Sequence, residues 1–271
     1  MFTFETISRW GYTLESLTPC KVRVFNPDIM AYPVTVSTLL ADADSNPKTD
    51  KVEVVSKVFS ASPHRLAGIG NMCPMADTCI EPCLNDQGHG RQDGPRNARI
   101  ARSAIYHLNR EWFWAKLDRE FKQFRERHTG PVGCRMNMFT DVRWERYGLM
   151  DRHPDIVYWD YTKLQNDRFG WVRPNYFITV SYDGTNAEYC RHVLANGGNV
   201  SVVFYNADGG CGKAAHRQTL PDTFLDRPVI DGGVTDYRPA DPRGVIVGLR
   251  LLALDYTARN KAIDSGFAQL C

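Results

Sequence analysis

Nowhere in this sequence do apolar residues run together for the roughly 18 positions that a bilayer-crossing helix needs, so a spanning helix and a membrane partner are excluded at this level. The opening MFTFETISRWGYTLESLTPC places acids early and has no continuous apolar stretch, so the expectation is a chain without a leader that works in the cytoplasm. An excess of one charge is missing too. Lys and Arg number 33 against 31 Asp and Glu, a formal net charge of +2, so bulk charge makes no case for nucleic acid or a lipid surface. The paired C-x2-C knuckles of a structural zinc finger are absent. So are a G-x4-GK[ST] phosphate loop, any internal repeat and any low-complexity tract.

What is present is an ordinary globular composition, 43% hydrophobic and 24% charged, long enough to bury a core without disulfide staples. One domain over 1–271 is expected, in three parts: a mixed β opening region (1–60), a loop (61–95) and an α/β core (96–271). In the first part Lys21–Phe25 (KVRVF), Pro33–Leu40 and Lys51–Phe59 predict strands of a short sheet or hairpin, with ADADSNPKTD as a polar turn. The second part, containing LAGIGNMCPMADTCIEPCLNDQGHGRQDG, has the Gly, Pro, Asn and Asp content of a loop. A loop this long inside a compact domain needs an ordering force, and metal ligation supplies one.

In the third part, Ala101, Ile105, Leu108, Phe113, Leu117, Phe121 and Phe124 recur at helical spacing and predict one long helix over 96–128, stopped by Gly130-Pro131. Short apolar runs follow: Cys134–Phe139, Ile156–Tyr161, Tyr176–Tyr182, Asn199–Tyr205, PVIDG and GVIVGLRLL. Helices are expected over Asp141–Met150 and Asn186–Ala195. Strands that are apolar on both faces and separated by helices predict a covered parallel sheet. The fold class is therefore α/β, a partial or complete (β/α) barrel with a long cysteine-bearing loop.

Eight cysteines occur, and three crowd together as Cys73-x5-Cys79-x3-Cys83. Without a leader the expected compartment is reducing, which leaves thiols available to metal. Soft sulfur ligands at this spacing select an iron–sulfur cluster, zinc or copper(I). Three clustered ligands leave a fourth position, either open or filled from afar. Cys211, in NADGGCGKAAHR after an expected strand end, is the first candidate and His216 the second. Cys20, Cys134, Cys190 and Cys271 read as small packing residues.

Acidic and basic side chains follow several expected strands: Asp141, Lys163, Asp183 and Asp208. In a parallel barrel all strand C-termini face one mouth, so these four are candidates for one cavity; singly, each also serves as a turn or capping residue. Arg96, Arg99 and Arg102 step by three along the expected helix and are candidate phosphate contacts, with a solvated face or pairing with acids elsewhere as the plainer reading.

The order CPMADTCIEPC, arginine-rich helix, CRMNMFTD, DIVYWDYTK, YFITVSYDG and VIDGGVTDYRPADPRGVIVGL resembles a group of phage-encoded iron–sulfur proteins, similar in outline to radical SAM enzymes. The resemblance spans about residues 60–250. It implies an α/β barrel-like fold, a [4Fe–4S] cluster held by Cys73, Cys79 and Cys83, and the cytoplasm of the host cell. ITVSYDG resembles an inner barrel strand of radical SAM proteins. Their C-x3-C-x2-C spacing and GGE-like strand end are not here, which counts against S-adenosylmethionine as a co-substrate. Four functions follow as expectations: an iron–sulfur protein in phage assembly, regulation or host takeover, with a host or phage protein as partner; a radical enzyme with an open cluster iron; a nucleic-acid-associated protein using Arg91–Arg110; and a zinc-stabilised structural protein.

Overall fold

The computed structural model describes residues 4–43, 54–80, 83, 88–253 and 255–271. The chain opens with a four-stranded antiparallel sheet of β1 (Phe4–Ile7), β2 (Tyr12–Thr18), β3 (Lys21–Phe25) and β4 (Val34–Val36). The alternation in KVRVF does what it predicts: Val22 and Val24 are buried while Lys21 and Arg23 face water. Then β5 (Leu40–Asp42) and β6 (Val55–Phe59) form an antiparallel pair, as the hairpin reading expected. The expected strand over Lys51–Phe59 begins outside the described residues.

The predicted 96–128 helix is in fact two helices, α1 (Asp93–Leu108) and α2 (Arg110–Glu126). Asn109 between them leaves helical geometry (φ −136°, ψ 67°), and its side-chain oxygen accepts the Trp112 amide. An Asn that caps the next helix ends the previous one, while the apolar stripe continues across the break.

After these come β7 (Val132–Arg135), α3 (Leu149–Arg152), β8 (Val157–Thr162), β9 (Gly170–Arg173), β10 (Tyr176–Ser181), α4 (Ala187–Ala195) and β11 (Val200–Tyr205). The chain closes with β12 (Thr223–Phe224), β13 (Arg227–Asp231), β14 (Ile246–Arg250), α5 (Tyr256–Asp264) and β15 (Ala268–Leu270). The second sheet runs β12-β13-β14-β11-β10-β8-β7-β6-β5, with β15 beside β11 and β9 beside β10. The ladders from β6 to β13 are parallel, and β5, β9 and β12 pair antiparallel.

Along this sheet β6, β7, β8, β10, β11 and β14 lie side by side in chain order, without reversal. Parallel neighbours connected always in one direction put every strand C-terminus on the same edge. The structure is thus mixed α/β with a large, mostly parallel sheet and five α-helices among the described residues. No ladder joins β5 to β12 among them, so the sheet is open and the complete barrel is not found.

One face of the sheet carries the main core. Trp144, Phe113, Phe59 and Tyr106 are buried, with Phe59 and Tyr106 edge-on to Trp144 at 5.4 and 5.6 Å. Tyr158 of β8 meets Phe121 of α2 edge-on at 5.6 Å. Successive strand residues point to opposite faces, so Trp159 looks the other way, edge-on to Tyr237 at 5.1 Å. The segment after β13 therefore crosses that opposite face, bringing the buried Arg238 with it.

Candidate functional site at the strand ends

The C-terminal strand edge borders a cavity of about 700 Å³. Its lining is largely apolar, with Val203, Leu249 and Leu251 among it, and carries polar side chains from strand C-termini, Arg135 of β7, Tyr161 and Thr162 of β8, Ser181 of β10 and Arg250 of β14, beside Ser201 at the start of β11. The described part of the cysteine loop lines it as well, with Cys73, Cys79 and Cys83 alongside the exposed Met75 and Ile80.

The loop is built from short turns. The Ala76 amide donates to the Cys73 carbonyl (3.1 Å), Ile80 to Asp77 (2.9 Å) and Cys83 to Ile80 (3.3 Å). Gly70 lies tight against His107 of α1: at φ +62°, a Cβ there would meet the imidazole at 2.2 Å, so both conformation and space demand glycine. Two further contacts fix the loop to the sheet. The Thr78 hydroxyl donates to the Asp183 carbonyl at 2.8 Å, and the Cys73 thiol to the Phe139 carbonyl at 3.3 Å.

All three loop cysteines are half-buried. Burial pushes the Cys73 thiol up to about 12, opposed by a backbone hydrogen bond from His64, while Asp141, Cys83 and Cys79 raise it further. Cys79 and Cys83 thus both lie near enough for their charge to bear on Cys73. Burial favours the Cys73 thiol; a metal bound there would invert that balance and deprotonate it. Among the described residues, no group of three or more His, Cys, Asp or Glu side chains is already arranged to hold a metal ion.

Of the four acidic and basic candidates, the structure brings Asp141 and Lys163 to the cavity and leaves Asp183 and Asp208 out of its lining. Asp141 is buried and accepts the Thr162 hydroxyl (2.8 Å) and the Lys163 amide (2.9 Å), and burial raises its carboxyl above the usual range. The Lys163 ammonium sits 5.3 Å from the centre of the Phe267 ring. The side chain of Asp183 instead accepts the Thr185 and Asn186 amides, in the turn that starts α4. Of the two fourth-ligand candidates, His216 lines the cavity and Cys211 does not.

The arginines of α1 are turned inward. Arg96 donates to the Ile29 carbonyl (2.9 Å), Arg102 to Ser60 (3.3 Å) and Arg99 to Gly90; the Arg99 guanidinium also lies 5.0 Å over the Phe139 ring. All three guanidinium groups thus donate to backbone carbonyls of neighbouring segments.

Sequence reasoning missed the charged pairs of the cavity wall. Arg135 bonds Asp236 at 2.9 Å beneath the Tyr161 ring, and Arg250 bonds Asp231 at 2.7 Å. It also ran the strand CRMNMF through to Phe139, whereas β7 ends at Arg135. The available signal was Asn137, a residue type that strands disfavour. Its carboxamide folds the chain into a turn over 137–142, bonding Thr140, Val142 and Trp144. Behind it the fully buried Asp160 accepts from the Asn137 amide (2.6 Å) and the Tyr176 hydroxyl (2.8 Å). Burial lifts its carboxyl to about 7 despite those bonds and the nearby Arg135 and Arg168.

No helix among the described residues is long and apolar enough to cross a membrane. No curated protein and no solved structure matches the chain. A family model does: that of Gene product 88, a phage-type gene product family, over residues 35–269, which takes in the cysteine loop and the parallel sheet and leaves out β1 to β3. The chain belongs to the Gene product 88 family.

Proposed function

We propose that this phage-type protein is an iron–sulfur protein whose cluster is held by Cys73, Cys79 and Cys83 over the strand-end cavity. One observation carries the reading: three thiols from a single short loop border one cavity, close enough that Cys79 and Cys83 both bear on the Cys73 thiol. The donor set is all sulfur, which suits a [4Fe–4S] cluster first and zinc second. Among the described residues no such donor group is yet placed to hold a metal ion, so this reading requires the loop to close further on loading. His216, on the same cavity, is the favoured protein donor for the fourth position, ahead of Cys211. When bound, such a cluster supplies one-electron chemistry or a structural tie.

A second reading, a radical enzyme on a partial barrel resembling the radical SAM fold, rests on a separate observation. Six parallel strands neighbour one another in chain order, and the cavity beneath the loop has room for an organic molecule as well.

Anaerobic purification with iron, acid-labile sulfide and zinc determination tests the first reading. Iron and sulfide are expected, and folded protein that contains neither iron nor zinc overturns it. Adding S-adenosylmethionine to the reduced protein separates the readings: a changed electron paramagnetic signal supports the enzyme, and an unchanged one argues for a cluster closed by a protein ligand.

A further inference from the structure

Cys73 does not reach the cavity by its own loop alone. The turn over 137–142 makes one contact to it and one to its neighbour: the Phe139 carbonyl accepts the Cys73 thiol at 3.3 Å, and the Asp141 amide donates to the Met72 carbonyl at 2.7 Å. Met72 is held further by the Ser103 hydroxyl at its sulfur (3.3 Å) and by its own amide on the His64 carbonyl (3.2 Å). The position of Cys73 is therefore set by whatever fixes the turn.

What fixes the turn is a buried polar network that touches no cavity cysteine. Asn137 Oδ1 accepts the Thr140 hydroxyl (2.8 Å), the Val142 amide (3.0 Å) and the Trp144 indole (2.9 Å). Its Nδ2 donates to the Val142 carbonyl (2.9 Å) and to Asp160 (3.3 Å). Asp160 also takes the Asn137 amide and the Tyr176 hydroxyl, and Arg168 donates on to Tyr176 (3.2 Å) and Glu145 (2.9 Å). A carboxylate and a carboxamide this buried are costly unless fully bonded, and here their bonds converge on one turn.

We infer that Asn137 and Asp160 are positioning residues of the cysteine centre, holding the 137–142 turn so that Cys73 faces Cys79 and Cys83. The inference rests on the metal-centre reading above, and its role is that of an outer shell: such partners orient ligands and typically carry about 10–100-fold in metal affinity.

The test compares wild type with Asp160→Asn, which keeps the shape but turns one acceptor of the network into a donor. Chelator competition should show iron or zinc held about tenfold or more weakly. In the metal-free protein, iodoacetamide should modify Cys73 severalfold faster, with Cys79 unchanged. Unchanged metal affinity, or an equal rise at Cys73 and Cys79, overturns the inference. Should Asp160→Asn fail to fold, Tyr176→Phe removes one donor to Asp160 and one acceptor of Arg168, leaves the turn's own bonds intact, and must show the same pattern. Wild-type protein that binds neither metal sinks the reading and the inference together. Wild type that binds while the variant matches it sinks the inference alone.

Discussion

The cysteine loop and the strand-end turn meet at Cys73, but they are ordered by different means. The turn over 137–142 is held by the fully bonded carboxamide of Asn137 and lies against the buried Trp144. The loop bearing Cys73, Cys79 and Cys83 has short backbone turns, a hydroxyl contact at Thr78 and half-buried thiols. A region whose polar groups satisfy one another is complete once folded. A region whose thiols border a cavity is one that a bound group would complete. The difference teaches where a bound group would act: on the loop, with the turn as its rigid reference.

The comparison breaks most readily at the cysteines. Cys79→Ser should abolish bound iron while leaving the melting temperature of metal-free protein nearly unchanged. Cys134→Ser, a fully buried position in β7, should lower that temperature and keep the metal. Metal analysis beside thermal melts reads both, and the reverse pattern would refute the division. Next, Trp144→Ala should cost about 3–5 kcal/mol in chemical denaturation, because it opens the aromatic cluster and strips a donor from Asn137. A loss near zero would mean that the turn is not anchored there.

A smaller effect follows from Asp160. Its carboxyl rises from an ordinary 3.8 to about 7 on folding, so in that window the folded state holds the proton and the unfolded state has lost it. Stability is then greatest below the unfolded value and declines as pH rises through the folded one. Asp241, raised to about 6, acts in the same direction. The urea midpoint should fall between about pH 4 and 7, and Asp160→Asn should flatten the decline; equal slopes would count against a buried, proton-holding Asp160. Smallest of all, Arg191→Ala removes the exposed pair with Asp226 and should shift stability by no more than about 0.5 kcal/mol, as befits a surface outside both regions.

Much of the sheet was legible because its strands are short apolar runs bounded by turn residues. KVRVF, YFITVS and VSVVFY sit within one residue of their expected places. The sequence pattern failed where polar side chains overrode it. Asn109 splits a helix whose apolar stripe continues unbroken, and Asn137 ends a strand whose letters still look extended. The cysteine spacing singled out the loop, and Asp141 and Lys163 were found from their places after strands. The pairs Arg135–Asp236 and Arg250–Asp231 were not, since their members lie 101 and 19 residues apart and no local period links them.

By itself the sequence determined the ingredients: an α/β alternation, a long and irregular loop, and three thiols within it. These follow from local periodicity and composition, which act over a few residues. Only the tertiary structure decided that β6, β7, β8, β10, β11 and β14 neighbour one another in chain order, and that the loop borders the cavity at their ends. It alone turned the α1 arginines inward and set His216, not Cys211, on the cavity. Such choices depend on which distant groups satisfy each other's buried charges and hydrogen bonds, and that is settled only when the whole chain packs.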